Sequence, residues 1–516
     1  MTPIGENAAS YFVDRHVACA YRDNPAFIES GTGRQICYAE LARQTGRMAD
    51  LYARHGIRRE ERAAMIVLDC IEFPIVFWGS LKAGVIPIPL NTLLASNVYA
   101  AILNDCRARA LFVSAELLPV VAPVLDACPH LEKVFVIGGE RAGIHLGFHE
   151  EIARSQSRDP VSASADECAF WLYSSGSTGQ PKGVRHVHGS LKYTADTYGA
   201  QVLGIAQDDV VFSAAKLFFA FGLGNGLTFP LSVGATAVLL AGRPTPESVC
   251  AVLRQHKPTI FCGVPTLYAA MVAHLESETT SGMPALRRCI SAGEALPEQI
   301  GTHWRNLTGC DILDGVGSTE MLHIFLSNRP GDVIYGTSGI AVPGYEVRLV
   351  DEAGAEVDRG GLGELLVKGG SSASDYWNLR DKSRATFEGE WTRTGDKYQK
   401  TQNGRFVYCG RTDDMFKVSG IWVSPFEIEQ ALLTHPNVLE AAVVAACDAE
   451  GLEKPKAFVV LKPGAAGDHL AEELKALVKE RIGKWKYPRW VEIVPGLPKT
   501  ATGKIQRFKL RDARRG

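Results

Sequence analysis

Through the first 400 residues, short apolar runs rich in β-branched residues alternate with helically periodic stretches, and this alternation constrains the fold more than any other feature. AAMIVLD (63–69), ALFVSA (110–115), KVFVIGG (133–139) and ATAVLLA (235–241) have strand length and composition. VYAAILNDC precedes the second and PESVCAVLRQH follows the last, both with helical spacing. Strands separated by helices pair through crossovers, so the expected class is α/β, with largely parallel sheets covered by helices. From about residue 332 the texture changes. YEVRLVDEAG, GELLVKGG and GRFVYCGR are short strands joined by Gly, Asp and Asn turns, which predicts an antiparallel, barrel-like section.

After GRTDDMFKVSG (410–420) a fresh pattern begins. SPFEIEQALLTHP predicts a helix with Ser424 as N-cap and Pro425 in its first position. LEAAVVAAC, KAFVVLKP and RWVEIV read as strands, and DHLAEELKALVKERIG as an amphipathic helix. The expected organisation is a large N-terminal domain, 1–411, and a small α+β domain, 412–516, with Asp413 at the joint.

Lys plus Arg total 55 against 57 for Asp plus Glu, a net charge of −2 that gives no electrostatic footprint for nucleic acid. A small-molecule partner is expected, with no membrane partner; monomer and homodimer both stay open. FPIVFWGSLKAGVIPIPL (73–90) is the most apolar run, but Lys82, Gly84 and two prolines break it into a buried helix, turn and strand. No basic region followed by an apolar one opens the chain, and the twelve cysteines form no CxxC pair. Cytoplasmic localisation, reduced thiols and no structural zinc are the expectations.

YSSGSTGQPKG (173–183) follows the apolar CAFWL and precedes HGSLKYTADTYGAQVL, a strand–loop–helix context. Its glycines at 176, 179 and 183 permit tight turns and expose N–H groups, its hydroxyls add donors, and Lys182 adds a positive charge. Such a concavity suits a polyphosphate; a solvated Ser/Gly linker is the alternative. It is not a Walker A loop, because Pro181 precedes the lysine and Gly183 follows it.

The string closely resembles the phosphate loop of the adenylate-forming superfamily, which includes acyl-CoA synthetases, peptide-synthetase adenylation domains and firefly luciferase. Four more motifs stand in that family's order: GVGSTE (315–320), WTRTGD (391–396), GRTDDMFKVSG and PKTATGKIQR (498–507). The resemblance implies an enzyme using ATP, Mg²⁺ and coenzyme A. Ser174, Ser175, Gly176, Ser177, Thr178, Gly179 and Lys182 would then face the β- and γ-phosphates. Glu320 would ligate Mg²⁺ beside Thr319, and Ser291, Gly293, Glu294, Asp314 and Gly315 would wall the nucleotide. Most relatives carry an aromatic residue where this chain has Val316, so adenine stacking from that place is not implied. Asp396 and Arg411 match ribose contacts, Lys504 the lysine that meets the carboxylate and α-phosphate, and Asp413 the hinge. Catalysis would fall to Lys504, Thr178 and Glu320. Gly420, Trp485, Lys486 and Arg489 would lie toward CoA, although KWKYPRW read alone is equally an exposed basic turn.

KLFFAFGLGN (216–225) stands where such enzymes build the acyl pocket. Phe219, Ala220, Phe221 and Gly222 make a flat apolar slot suited to an aromatic ring; ordinary core is the alternative. No Asp occurs there to pair with an amino acid's ammonium group. With GVGSTEMLHIFLSN, the run is most similar to benzoate- and hydroxybenzoate-CoA ligases, and His323 matches a residue at the aryl end of their pocket. Benzoate, hydroxybenzoates and 2-aminobenzoate all stay open. A medium- or long-chain acyl-CoA synthetase is the second reading. A non-catalytic nucleotide-binding protein is the third, and it predicts damage at Lys504, Glu320 or Asp396, all of which are present.

Overall fold

The computed structural model of the 516-residue chain describes residues 7–139, 145–175, 181–277, 286–418, 421–448, 452–462, 464–465, 469–483, 486–499 and 505–512. Two compact units divide it. Met1–Val347 and Val367–Arg393 form the first, Arg348–Leu366 and Thr394–Gly516 the second.

The first unit is built on two large sheets. One is wholly parallel, in the order Ile86–Pro89, Arg62–Ile66, Ala110–Ser114, Lys133–Ile137 and Leu146–Gly147. Its strands are almost continuously apolar and buried, as expected when helices cover both faces. FPIVFWGSLKAGVIPIPL becomes the buried helix Glu72–Ala83, a turn at Gly84 and the strand Ile86–Pro89. The other sheet has nine strands, parallel across Pro25–Glu29, Thr236–Leu239, Val210–Ser213, Ile260–Gly263, Arg288–Ser291 and Ile312–Gly317. Its flanks turn antiparallel at Gln35–Cys37 and at Ile324–Ser327. PESVCAVLRQH forms the helix Pro246–His256, and Thr245 accepts from Ser248 N in a capping box. Phe212 and Phe261 of these strands are fully buried against Tyr268 and Trp304 of the helices Pro265–Ser277 and Glu298–Thr308. Burying such side chains contributes about 1.5–3 kcal/mol each.

A three-stranded antiparallel sheet, Cys168–Ser175, Pro181–Val187 and Asp375–Tyr376, corrects the expected context of the phosphate loop. PKGVRHV is a strand paired antiparallel with Cys168–Ser175, so a strand stands between the loop and the helix. The helix expected over HGSLKYTADTYGAQVL begins at His188, and after Thr194 it continues as a π-helix, Ala195–Leu203.

In the second unit Val438–Cys447 pairs antiparallel with Glu453–Leu461, which pairs parallel with Trp490–Ile493. Helices Pro425–Leu433 and Leu470–Ile482 pack on them around Ile428, Leu432, Val443 and Leu474. Ser424 caps the first helix as expected, accepting from Glu427 N at 3.1 Å. Trp391–Lys400 and Phe406–Arg411 pair antiparallel, with Asp396 opposite Arg411. No helix of the described residues is long and apolar enough to cross a membrane.

Candidate active site

Ser174 stands opposite Lys182 and Ser175 opposite Pro181, so the paired strands deliver both ends of the loop expected to meet phosphate. Its tip, Gly176, Ser177, Thr178 and Gly179, lies outside the described residues. Lys182 Nζ is 3.6 Å from Glu320 Oε1 and 3.4 Å from the hydroxyl of Tyr376, which itself donates to Glu320 Oε1 at 2.8 Å. The ammonium also lies 4.4 Å from the centre of the Tyr376 ring, a cation–π contact. Tyr376 comes from a two-residue strand beside the hairpin, and no motif in the sequence marks it.

Thr319 and Glu320 are held from behind. His186, fully buried and stacked on Phe170, meets the carbonyl of Thr319 through Nε2 at 2.8 Å. Burial lowers its imidazole to about 4, so the neutral ring donates this bond. Ala373 N donates to the carbonyl of Glu320 at 2.7 Å.

Ser291 closes its strand and stands in register beside Asp314 of the adjacent parallel strand, near the edge where open α/β sheets usually bind ligands. Gly293 and Glu294 follow in the next turn, Gly293 at φ +99°, and Gly315 continues the neighbouring strand. Asp314 is buried, and burial raises its carboxyl to about 8. Its Oδ2 accepts from Leu296 N at 3.4 Å, whereas Oδ1 finds no partner among the described residues.

Phe219 starts a one-turn helix, Ala220–Leu223, followed by a π-helical turn, Gly224–Thr228. Phe219, Ala220 and Phe221 are half-buried and Gly222 is buried. His323 packs among Phe229, Tyr198 and Phe221, with ring centres 4.6, 5.1 and 5.7 Å away. Only glycine fits at 224, where a Cβ would lie 2.3 Å from His323 Cδ2. Burial pushes the His323 imidazole down to about 3. Nε2 faces the carbonyl of Phe221 at 3.4 Å, and Nδ1, like Ser174 Oγ, is buried without a partner among the described residues. Buried polar atoms of this kind need a ligand or water to satisfy them.

In the second unit Arg411 pairs with Asp396 at 2.9 Å and donates to the carbonyl of Thr394 at 3.1 Å. Asp413 is exposed on a 3₁₀ turn, Thr412–Asp414. Lys486 is held by Glu427 at 2.6 Å, and Arg489 lies over the ring of Tyr487. Gly420, Trp485 and Lys504 lie outside the described residues. The segment carrying Lys504 is closed at its base by a Lys499–Ile505 bridge and by Gln506 N donating to the carbonyl of Pro498 at 2.8 Å.

Lys182 thus stands beside Glu320, and one short segment joins that carboxylate to His323 and the aromatic rings around it. The chain belongs to the AMP-binding enzyme family, whose model matches residues 14–377, with the family's C-terminal domain matching 427–504. It is 53% identical over 510 residues to the benzoate–CoA ligase of Thauera aromatica, covering 98% of this chain and 96% of that one. It is 51% identical over 512 residues to the 4-hydroxybenzoate–CoA/benzoate–CoA ligase of Rhodopseudomonas palustris, covering 98% and 94%. The solved benzoate CoA ligase from Burkholderia xenovorans LB400 matches with a TM-score of 0.89 at 48% identity, over 98% of this chain and 100% of that one.

Proposed function

We propose that the protein is an AMP-forming aryl-CoA ligase acting on benzoate or a hydroxy- or amino-substituted benzoate. The observation that carries this reading is the segment Gly315–His323. At one position it sets Glu320 beside Lys182 and the phosphate hairpin, and three residues on it packs His323 against Phe221. An acid in the aromatic slot and a triphosphate on the hairpin would therefore be neighbours.

A carboxylate is a poor electrophile. Its oxygen attacks the α-phosphorus of ATP, pyrophosphate leaves, and the resulting acyl-AMP is open to attack by the thiol of CoA, which displaces AMP. Such a step needs alignment and charge stabilisation more than covalent help. Lys182 and the hairpin amides bind the β- and γ-phosphates, Asp314 and Ser291 border the base, and Asp396 and Arg411 take the ribose hydroxyls. Lys504 brings its ammonium to the carboxylate and α-phosphate. Glu320, half-buried and fixed by Tyr376, fits a hard cation that keeps most of its water, and Mg²⁺ held there would offset phosphate charge. Residues 412–516 act as the mobile part, turning about Asp413 so that Gly420, Trp485, Lys486 and Arg489 serve the thiol step.

Incorporation of labelled pyrophosphate into ATP, dependent on benzoate and magnesium, tests the first half-reaction, and CoA-dependent AMP release tests the second. Absence of exchange with every aromatic acid offered would refute the proposal. Preference for octanoate over benzoate in competition would favour a fatty acyl-CoA synthetase.

A further inference from the structure

Asp69 ends the run AAMIVLD but belongs to none of the nucleotide or acyl motifs above. It follows the strand Arg62–Ile66 and precedes the helix Glu72–Ala83, and its side chain is 4% exposed. Across a separation of 148 residues, Oδ1 accepts from the backbone N–H of Leu217 at 3.2 Å, and Oδ2 stands 3.8 Å from Lys216 Nζ. The same ammonium donates to the carbonyls of Leu240, Ala241 and Gly242, the last two at 3.2 and 2.7 Å. Lys216 opens the KLFFAFGLGN segment, and its ammonium is engaged by these four residues.

The backbone at Lys216 governs the turns that follow. Phe219 N donates to the Lys216 carbonyl at 3.0 Å, and a Cβ at Gly222 would lie only 2.0 Å from that same oxygen, so the chain folds tightly back on it. Phe221 then presents its carbonyl to Asn225 Nδ2 at 3.0 Å and to His323. Displacing Lys216 and Leu217 therefore displaces Phe219, Ala220 and Phe221. A buried ion pair adds little stability over an apolar pair of equal volume, but its directional bonds fix one geometry.

We propose that Asp69 is a positioning residue for the aryl slot, fixing the segment Lys216–Gly222 through the Leu217 N–H and the Lys216 ammonium and so setting the affinity for the aromatic acid. This rests on the assignment of Phe219–Gly222 to the acid. Burial raises the Asp69 carboxyl to about 6 against the opposing pull of Lys216, the charged group that faces it. The tether is charged at neutral pH and loses its charge below about pH 6.

Asp69→Asn keeps the shape and an oxygen for Leu217 while removing the charge facing Lys216. In benzoate-dependent pyrophosphate exchange, KM for benzoate is expected to rise about tenfold with KM for ATP unchanged. In the unaltered protein, KM for benzoate is expected to rise as pH falls through about 6, a limb absent from Asp69→Asn. Lys216→Met should give the same shift, and the double variant should be no worse than either single one. An unchanged benzoate KM in folded Asp69→Asn, or equal increases in both KM values, would overturn the proposal. If that variant does not fold, the unaltered protein decides, because a benzoate KM flat from pH 7.5 to 5.5 also overturns it. Absence of any acid-dependent exchange in the unaltered protein would instead remove the ligase reading, and this proposal with it.

Discussion

Tyr376 donates its phenolic O–H to Glu320 Oε1 at 2.8 Å while the face of its ring lies 4.4 Å from the Lys182 ammonium. One side chain thus orients both the cation and the anion beside the phosphate hairpin. Tyr376→Phe keeps the ring and removes the hydroxyl. A hydrogen bond to a charged group is worth about 1.5 kcal/mol or more, so KM for Mg-ATP should rise about tenfold. KM for benzoate should stay constant. Exchange kinetics at varied Mg-ATP measure both, and an unchanged ATP term would show that Glu320 needs no such support.

Lys504→Ala is expected to abolish pyrophosphate exchange while leaving thioester formation from supplied benzoyl-AMP and CoA near its original rate. The two half-reactions can be assayed separately. Equal loss in both would refute the assignment of Lys504 to the first.

Asp413→Pro fixes φ at one residue of the exposed turn Thr412–Asp414. Overall turnover should fall while one half-reaction persists in single-turnover measurements. Unchanged turnover would count against a hinge at this position.

Acid stability follows from buried groups of the first unit. Burial pushes His16, His186 and His188 down to about 4 and His323 to about 3, from 6.5. Each is neutral when folded and protonates when unfolded, so the stability they contribute above pH 6.5 is lost as pH falls toward 4. Asp314 and Asp69, raised to about 8 and about 6, act oppositely, because folding favours their protonated forms in the same window. The four imidazoles outnumber the two carboxyls, so among these six groups unfolding near pH 5 takes up protons and stability falls with pH. Urea midpoints should drop steeply from pH 6 to pH 5, and His186→Asn should remove about one proton from the slope. Midpoints that rise toward acid would contradict this balance.

The elements legible in the sequence are those specified by neighbouring residues. Ser424 and Pro425 announce their helix because cap and first turn are contiguous, and the parallel strands announce themselves by unbroken apolar runs. The hairpin was harder. Pro181 and Gly183 look like breakers, and only pairing with Cys168–Ser175, with Val184 and His186 buried, makes PKGVRHV a strand. Tyr376, 56 residues from Glu320, and Asp69, 148 from Leu217, were not legible at all. Their importance comes from contacts between distant parts of the chain, and no local pattern encodes such partners.

Because Glu320 and His323 share one short rigid stretch, the phosphate side and the ring side are not free to diverge separately. Selection for bulkier acids that reshaped residues 321–323 would disturb the carboxylate beside Lys182. Within Phe219 to Phe229, His323 holds position 224 to glycine, so new acid preferences in this lineage should accumulate at the half-buried Phe219 and Ala220.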